Sequence, residues 1–147
     1  MLEPLIVGSL IIIFNMSLQC LAVIVMVRYF VRHKPAEKAP PTFVSDFKIL
    51  STVLAVLFAG HILQFMVWAK IFVLLEEFQN FSTAFYHSTV NFSSLGYGDI
   101  VMSEEWRLLG ALEACNGILM FGLTTGALLE VMRNLFRRYD TSRKVEK

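Results

Sequence analysis

Three stretches free of formal charge decide what this chain can fold into. Leu5–Val27, Ile49–Ala69 and Leu108–Leu129, the last interrupted only by Glu113, each reach the ~20 residues a helix needs to cross a bilayer. In water all three would have to be buried, and the chain lacks the polar surface to do it. Of its 147 residues 56% are hydrophobic and 17% charged, where a soluble domain carries about 25% charged residues. A lipid-facing, all-helical protein follows. The first run is expected to remain in the mature chain, because Met1–Pro4 carries Glu3 and no basic residue, and the run is too long for a signal-peptide core.

Charge placement predicts the orientation. Arg28, Arg32, Lys34, Lys38 and Lys48 lie between the first two runs, and Arg133, Arg137, Arg138, Arg143, Lys144 and Lys147 follow the third. Between the second and third runs only Lys70 and Arg107 stand among Glu76, Glu77, Asp99, Glu104 and Glu105. Short cytoplasmic loops collect Lys and Arg, so the amino terminus is expected outside the cell membrane and the carboxyl terminus in the cytoplasm. Lys38 is then cytoplasmic, and Glu76 and Glu104 are external. A net charge of +1 gives no reason to expect a nucleic-acid partner.

Residues 1–29 read as a peripheral membrane helix and 30–48 as a cytoplasmic linker. Pro35, Pro40 and Pro41 break that linker, and Phe43, Val44 and Phe47 then form either a short interfacial helix or a plain loop. The tail, 133–147, serves as a stop-transfer anchor or as a contact for anionic lipid. Cys20 and Cys115, both inside apolar runs, read as buried thiols. No spacing of Cys, His or carboxylates resembles a metal site, and no nucleophile or phosphate-loop motif occurs, so neither an enzyme nor a bound cofactor is expected.

Residues 78–103 are too apolar for an external loop and too short to cross and return as two helices. Phe78, Phe81, Phe85, Tyr86, Val90 and Phe92 predict a helix over 78–92, which runs straight into Ser93-Ser94-Leu95-Gly96-Tyr97-Gly98-Asp99. Irregular backbone at membrane depth survives only when protein or a water-filled path surrounds it. A re-entrant element lining a pore fits.

The stretch Tyr86–Asp99, Y-H-S-T-V-N-F-S-S-L-G-Y-G-D, resembles the pore domain of potassium channels, whose pattern is an aromatic pore helix, T-V-G-Y-G-D or a close variant, and an inner helix with a glycine hinge. The likeness covers about Lys48 to Met132. It implies a pore domain over 49–132, with a pore helix at 78–92, a selectivity filter at 94–99 and an inner helix at 106–132. It also implies K+ ions on the backbone carbonyls of Ser94, Leu95, Gly96 and Tyr97, with the Ser94 hydroxyl closing the inner end and Gly98 and Asp99 forming the outer mouth. The Tyr97 ring should pack into the pore-helix aromatics. One loop supplies a quarter of a carbonyl ring, so a homotetramer is expected. Two positions depart from the pattern. Ser94 replaces the usual Thr, which removes a methyl group behind the innermost site. Val90 stands where some members place a carboxylate, so Asp99 needs another partner or remains solvated.

On the third run, Glu113, Asn116, Gly117, Met120 and Thr124 share a stripe that faces the pore or its packing. Gly117 reads equally as a gating hinge and as a helix-packing glycine, and Gly122 with Gly126 forms a small-residue pair on the opposite face. Asn15 and Gln19, one turn apart on the first run, are expected to bond a neighbouring helix. Depth along the helices sets His61 and Gln64 level with Glu113 and Asn116, as a polar network behind the filter. The alternative places Glu113 on the pore helix near Ser93, with His61 merely packed. The expected protein is an all-α membrane protein with three spanning helices and a re-entrant pore helix and filter loop, working as a potassium-selective channel. A weakly selective cation channel or a non-conducting interaction module would use the same scaffold.

Overall fold

The structure, a computed structural model, describes residues 2–35 and 42–145, with side chains as far as Asp140. Lys38, Pro40 and Pro41 lie outside the described residues. The described elements are helices: α1 (Leu2–His33), α2 (Phe43–Leu74), α3 (Phe81–Phe92) and α4 (Arg107–Val145). α1, α2 and the Arg107–Asp140 part of α4 are long and apolar enough to cross a membrane. At 1.5 Å per residue, the 32 residues of α1 and of α2 extend about 48 Å, past a hydrocarbon core of about 30 Å.

The helices outrun the uncharged runs that predict them. α1 continues through Arg28 and Arg32, whose long stems let the charged heads reach the interface. Phe43, Val44 and Phe47, expected as a separate interfacial helix or a loop, are the exposed first turns of α2 itself. α4 does not stop at the expected start of the tail, because no Gly or Pro follows Gly126 and Arg is a good helix former. Its far end is fastened to α2, where Asp46 accepts from Arg138 Nη1 at 2.8 Å and from the Tyr139 hydroxyl at 3.0 Å.

α3 has 12 residues, about 18 Å, which is too short to cross. It starts at Phe81 rather than Phe78, because Asn80 caps it: the Asn80 side chain accepts from the Thr83 N–H at 2.9 Å and from the Thr83 hydroxyl at 2.8 Å. Phe78 instead packs across the turn, 6.2 Å from the Phe72 ring and 4.8 Å from His87. α3 lies between α2 and α4, and α1 packs on the other side of the same pair.

Two apolar clusters hold this arrangement. One, at the level of α3, joins Phe65, Trp68, Phe72, Phe92, Leu109 and Met120, with Phe65 and Phe92 edge to face at 4.9 Å. The other joins Met26, Phe30, Ile49, Val53, Leu57, Val131 and Leu135 at the opposite end. α1 and α2 approach closely at Gly60, where a Cβ would lie 2.8 Å from Gln19 Oε1 and 2.9 Å from Ala22 Cβ. Cys20 and Cys115 are exposed free thiols, not buried ones, because each sits on the helix face turned away from its own chain. On α4 that face also carries Ile118 and Leu119, with open space over Gly122 and Gly126.

Candidate functional site

The chain leaves α3 by a left-handed turn. The Ser94 N–H donates to the Asn91 carbonyl at 2.8 Å and the Leu95 N–H to the Val90 carbonyl at 3.0 Å, while Ser94 itself takes φ +59°. This pair of bonds closes a helix C-terminus around a residue that is usually glycine. α2 ends the same way at Glu76, φ +61°, with Glu77 N–H on the Phe72 carbonyl at 3.0 Å. A non-glycine residue there costs about 1–2 kcal/mol.

Beyond Ser94 the reversal repeats. Gly96 has φ +58° and Gly98 φ +72°, whereas Leu95 and Tyr97 between them keep negative φ. Alternating the sign of φ lets successive carbonyls turn toward one side of the strand, and only glycine takes the left-handed positions without strain. Such a row of carbonyl oxygens can replace the water around a dehydrated cation.

The loop is fastened on its far side. Asp99 Oδ2 accepts from the Tyr86 hydroxyl at 2.8 Å, which supplies the partner that Val90 does not. That bond and the nearby negative charge hold the Tyr86 hydroxyl above its ordinary pKa. His87, the next residue of α3, sets Nδ1 3.1 Å from the Ile100 carbonyl and Nε2 2.8 Å from Asn91 Nδ2. Farther on, Glu77 accepts from the Ser103 N–H at 2.7 Å and hydroxyl at 2.6 Å, and so pins the exit of the loop to the end of α2. Leu95 and Tyr97 project outward, 57% and 66% exposed. The Tyr97 ring, expected among the α3 aromatics, therefore stands clear of its own chain.

The α4 stripe faces the protein, not an open path. Met120 is buried in the α3-level cluster, and Thr124 meets α1 and α2: its hydroxyl lies 2.7 Å from Gln19 Nε2 and 3.0 Å from His61 Nε2. Gly117 lies against the end of α3, where a Cβ would collide with the Phe92 carbonyl oxygen. Of the two readings of Gly117, Met120 and Thr124, facing the pore or facing its packing, these contacts within the chain favour packing. These small and polar positions find their partners inside the chain.

The expected single network of His61, Gln64, Glu113 and Asn116 is two separate ones. Gln64 Nε2 donates to Gln19 Oε1 at 2.7 Å, which continues to Thr124 and His61 and ties together α1, α2 and α4. Glu113 meets α3 instead, as the alternative reading has it, but at Ser88 rather than near Ser93. The Ser88 hydroxyl lies 2.5 Å from Glu113 Oε1 and 3.1 Å from the Phe65 carbonyl. The side chains of Asn116 and Asn15 are buried without a hydrogen-bond partner among the described residues. Tyr86, His87, Ser88 and Asn91 carry these contacts. Their signal in the sequence is a set of polar positions at spacings of one and four within an aromatic helix.

A family model described as ion channel matches residues 51–134, more than half of the chain, and the chain belongs to that family. The match begins in α2, includes α3 and the loop, and ends in α4, so α1 lies outside it. Comparison with curated proteins and with solved structures finds no match.

Proposed function

We propose that four copies of this ion-channel chain form a potassium-selective channel, with residues Ser94–Gly98 of each contributing one side of a selectivity filter. The observation that carries this reading is the left-handed backbone at Ser94, Gly96 and Gly98, an alternation that lets consecutive carbonyls point one way. Four such rows around an axis make stacked oxygen rings of the kind that coordinate K+. α3 ends where these rows begin, so its carbonyl end, the negative end of its dipole, faces the same axis. Closed fourfold symmetry also gives a role to surface that one chain leaves bare. Leu95, Tyr97 and the Ile118–Leu119 face of α4 are apolar and uncovered, and neighbouring copies would bury them.

In this assembly the exposed face of α4, rather than the Glu113 stripe, meets the neighbouring copies and the pore they enclose. The partition of basic residues supports an external loop side and a cytoplasmic tail, whose exposed Arg133 and Arg137 would lie near anionic lipid headgroups. Purified protein in liposomes tests the function. The expected result is a reversal potential in mixed K+ and Na+ that follows the K+ gradient. A value near zero assigns a weakly selective cation channel, for which the Ser94 position gives a reason, and absent flux from intact tetramers assigns a non-conducting scaffold. A monomer or dimer by native mass in lipid overturns the assembly.

A further inference from the structure

His87 is almost completely enclosed. It is 6% exposed, with its ring 4.8 Å from Phe78 and 5.6 Å from Phe72. Its two nitrogens have one outlet each. Nδ1 faces the Ile100 carbonyl, which brings no proton, so Nδ1 carries the hydrogen and donates. Nε2 faces Asn91 Nδ2, which only donates, so Nε2 must be a bare acceptor. The surroundings thus select the neutral ring protonated at Nδ1.

We infer that His87 is a positioning residue for the outer end of the conduction loop, holding Ile100 in place as the neutral Nδ1–H tautomer, so that acid at the loop face releases the loop and reduces flux. This rests on the channel reading above. Tyr86 holds Asp99 and His87 holds Ile100, so two consecutive residues of the loop exit hang from two consecutive residues of α3. A second proton on Nε2 would set two donors face to face at 2.8 Å in a closed pocket. The Asn91 amide would then have to turn over, giving up its hydrogen bond to the Glu113 carboxyl group on α4 and presenting its oxygen there instead, or the ring withdraw. Ring withdrawal removes the Ile100 bond.

The charged surroundings set where this happens. Burial holds the His87 pKa below its ordinary value and prevails over the Ile100 carbonyl, Asp99 from the loop and Glu77 from the turn after α2, which all favour the protonated ring. α2 itself presents the Phe72 ring, and α4 presents Glu113 beyond Asn91. Tyr86, Glu104 and Arg107 line the same recess. The neutral ring therefore predominates at pH 7. Flux should fall with a midpoint below about 6.5, approaching tenfold per pH unit beneath it.

The test is K+ flux from liposomes titrated from pH 7.5 to 5 on the loop side, for the parent chain and for His87→Gln. The glutamine can donate and accept in place of the ring but does not titrate. Parent flux should fall with acid. The residual flux of His87→Gln, normalised to its own value at pH 7.5, should stay flat, and an unchanged acid response there overturns the inference. If that variant does not assemble, Asn91→Asp serves: a carboxylate facing Nε2 accepts from the second N–H, so the charged ring keeps its Ile100 bond and the fall of flux with acid should be lost, and a parental acid response overturns the inference. A parent chain without flux at any pH contradicts the channel reading instead. The tautomer is then read independently from 15N shifts of the labelled histidines, where a protonated Nε2 on His87 at pH 7.5 overturns it.

Discussion

The Phe92 carbonyl oxygen occupies the space that a side chain at Gly117 would need. The last turn of α3 therefore rests directly on the backbone of α4. Gly117→Ala should destabilise the protein by about 1–3 kcal/mol, because a backbone carbonyl cannot swing aside as a side chain can. Gly122→Ala meets open space in the chain and should act only through assembly. Thermal unfolding and native mass of the two variants check this. A Gly117→Ala protein of parental stability but altered gating would favour a hinge over a packing contact.

Gly96→Ala tests the loop by conformation alone. Among the described residues nothing lies within 4 Å of a Cβ there, but the residue sits at φ +58°, where an L-side chain costs about 1–2 kcal/mol. Helix content and tetramer mass should persist while K+ flux is lost. Parental flux from this variant would remove the filter assignment.

The Tyr86 hydroxyl is the hydrogen-bond donor that the structure gives Asp99. Tyr86→Phe keeps the ring and deletes that bond, so the loop exit should loosen. The expected outcome is a shift of the K+/Na+ reversal potential toward zero with helix content preserved. An unshifted potential would mean that Asp99 is held by other means.

At the opposite end, the Asp46–Arg138 ion pair is mostly shielded, with side-chain exposures of 12% and 8%. Asp46→Ala, Arg138→Ala and the double variant form a thermodynamic cycle with an expected coupling of about 1–3 kcal/mol. Full additivity would show that α4 is not fastened to α2 by this pair.

Glu113→Gln should retain stability within about 1 kcal/mol, because an amide can still bond the Ser88 hydroxyl while that hydroxyl donates to the Phe65 carbonyl. Glu113→Leu, which leaves Ser88 without its α4 partner, should lose about 1–3 kcal/mol. Equal unfolding temperatures for the two would make the contact dispensable.

The sequence by itself determined the number of long helices, the short aromatic helix between the second and third, and the G-Y-G loop after it. Each of these is written in local terms: uncharged length, proline and glycine placement, and dihedral freedom at Gly96 and Gly98. Helix ends were misread even where a chain-local signal exists, as at the Asn80 cap, which moves the start of α3 from Phe78 to Phe81, and a hydropathy run cannot say how far α4 continues once its residues become charged but stay helix-forming. Side-chain partnership was decided by the tertiary structure. Periodicity put Glu113, Asn116, Gly117, Met120 and Thr124 on one stripe but could not say what that stripe meets. The answer depends on the rotation of α4 about its own axis, which the Phe92 carbonyl at Gly117 and the Gln19–Thr124 bond fix from two other helices. Depth matching likewise set His61 and Gln64 level with Glu113, yet a hydrogen bond needs shared azimuth as well as shared height, and α1 and α3 claimed the two halves of that network separately.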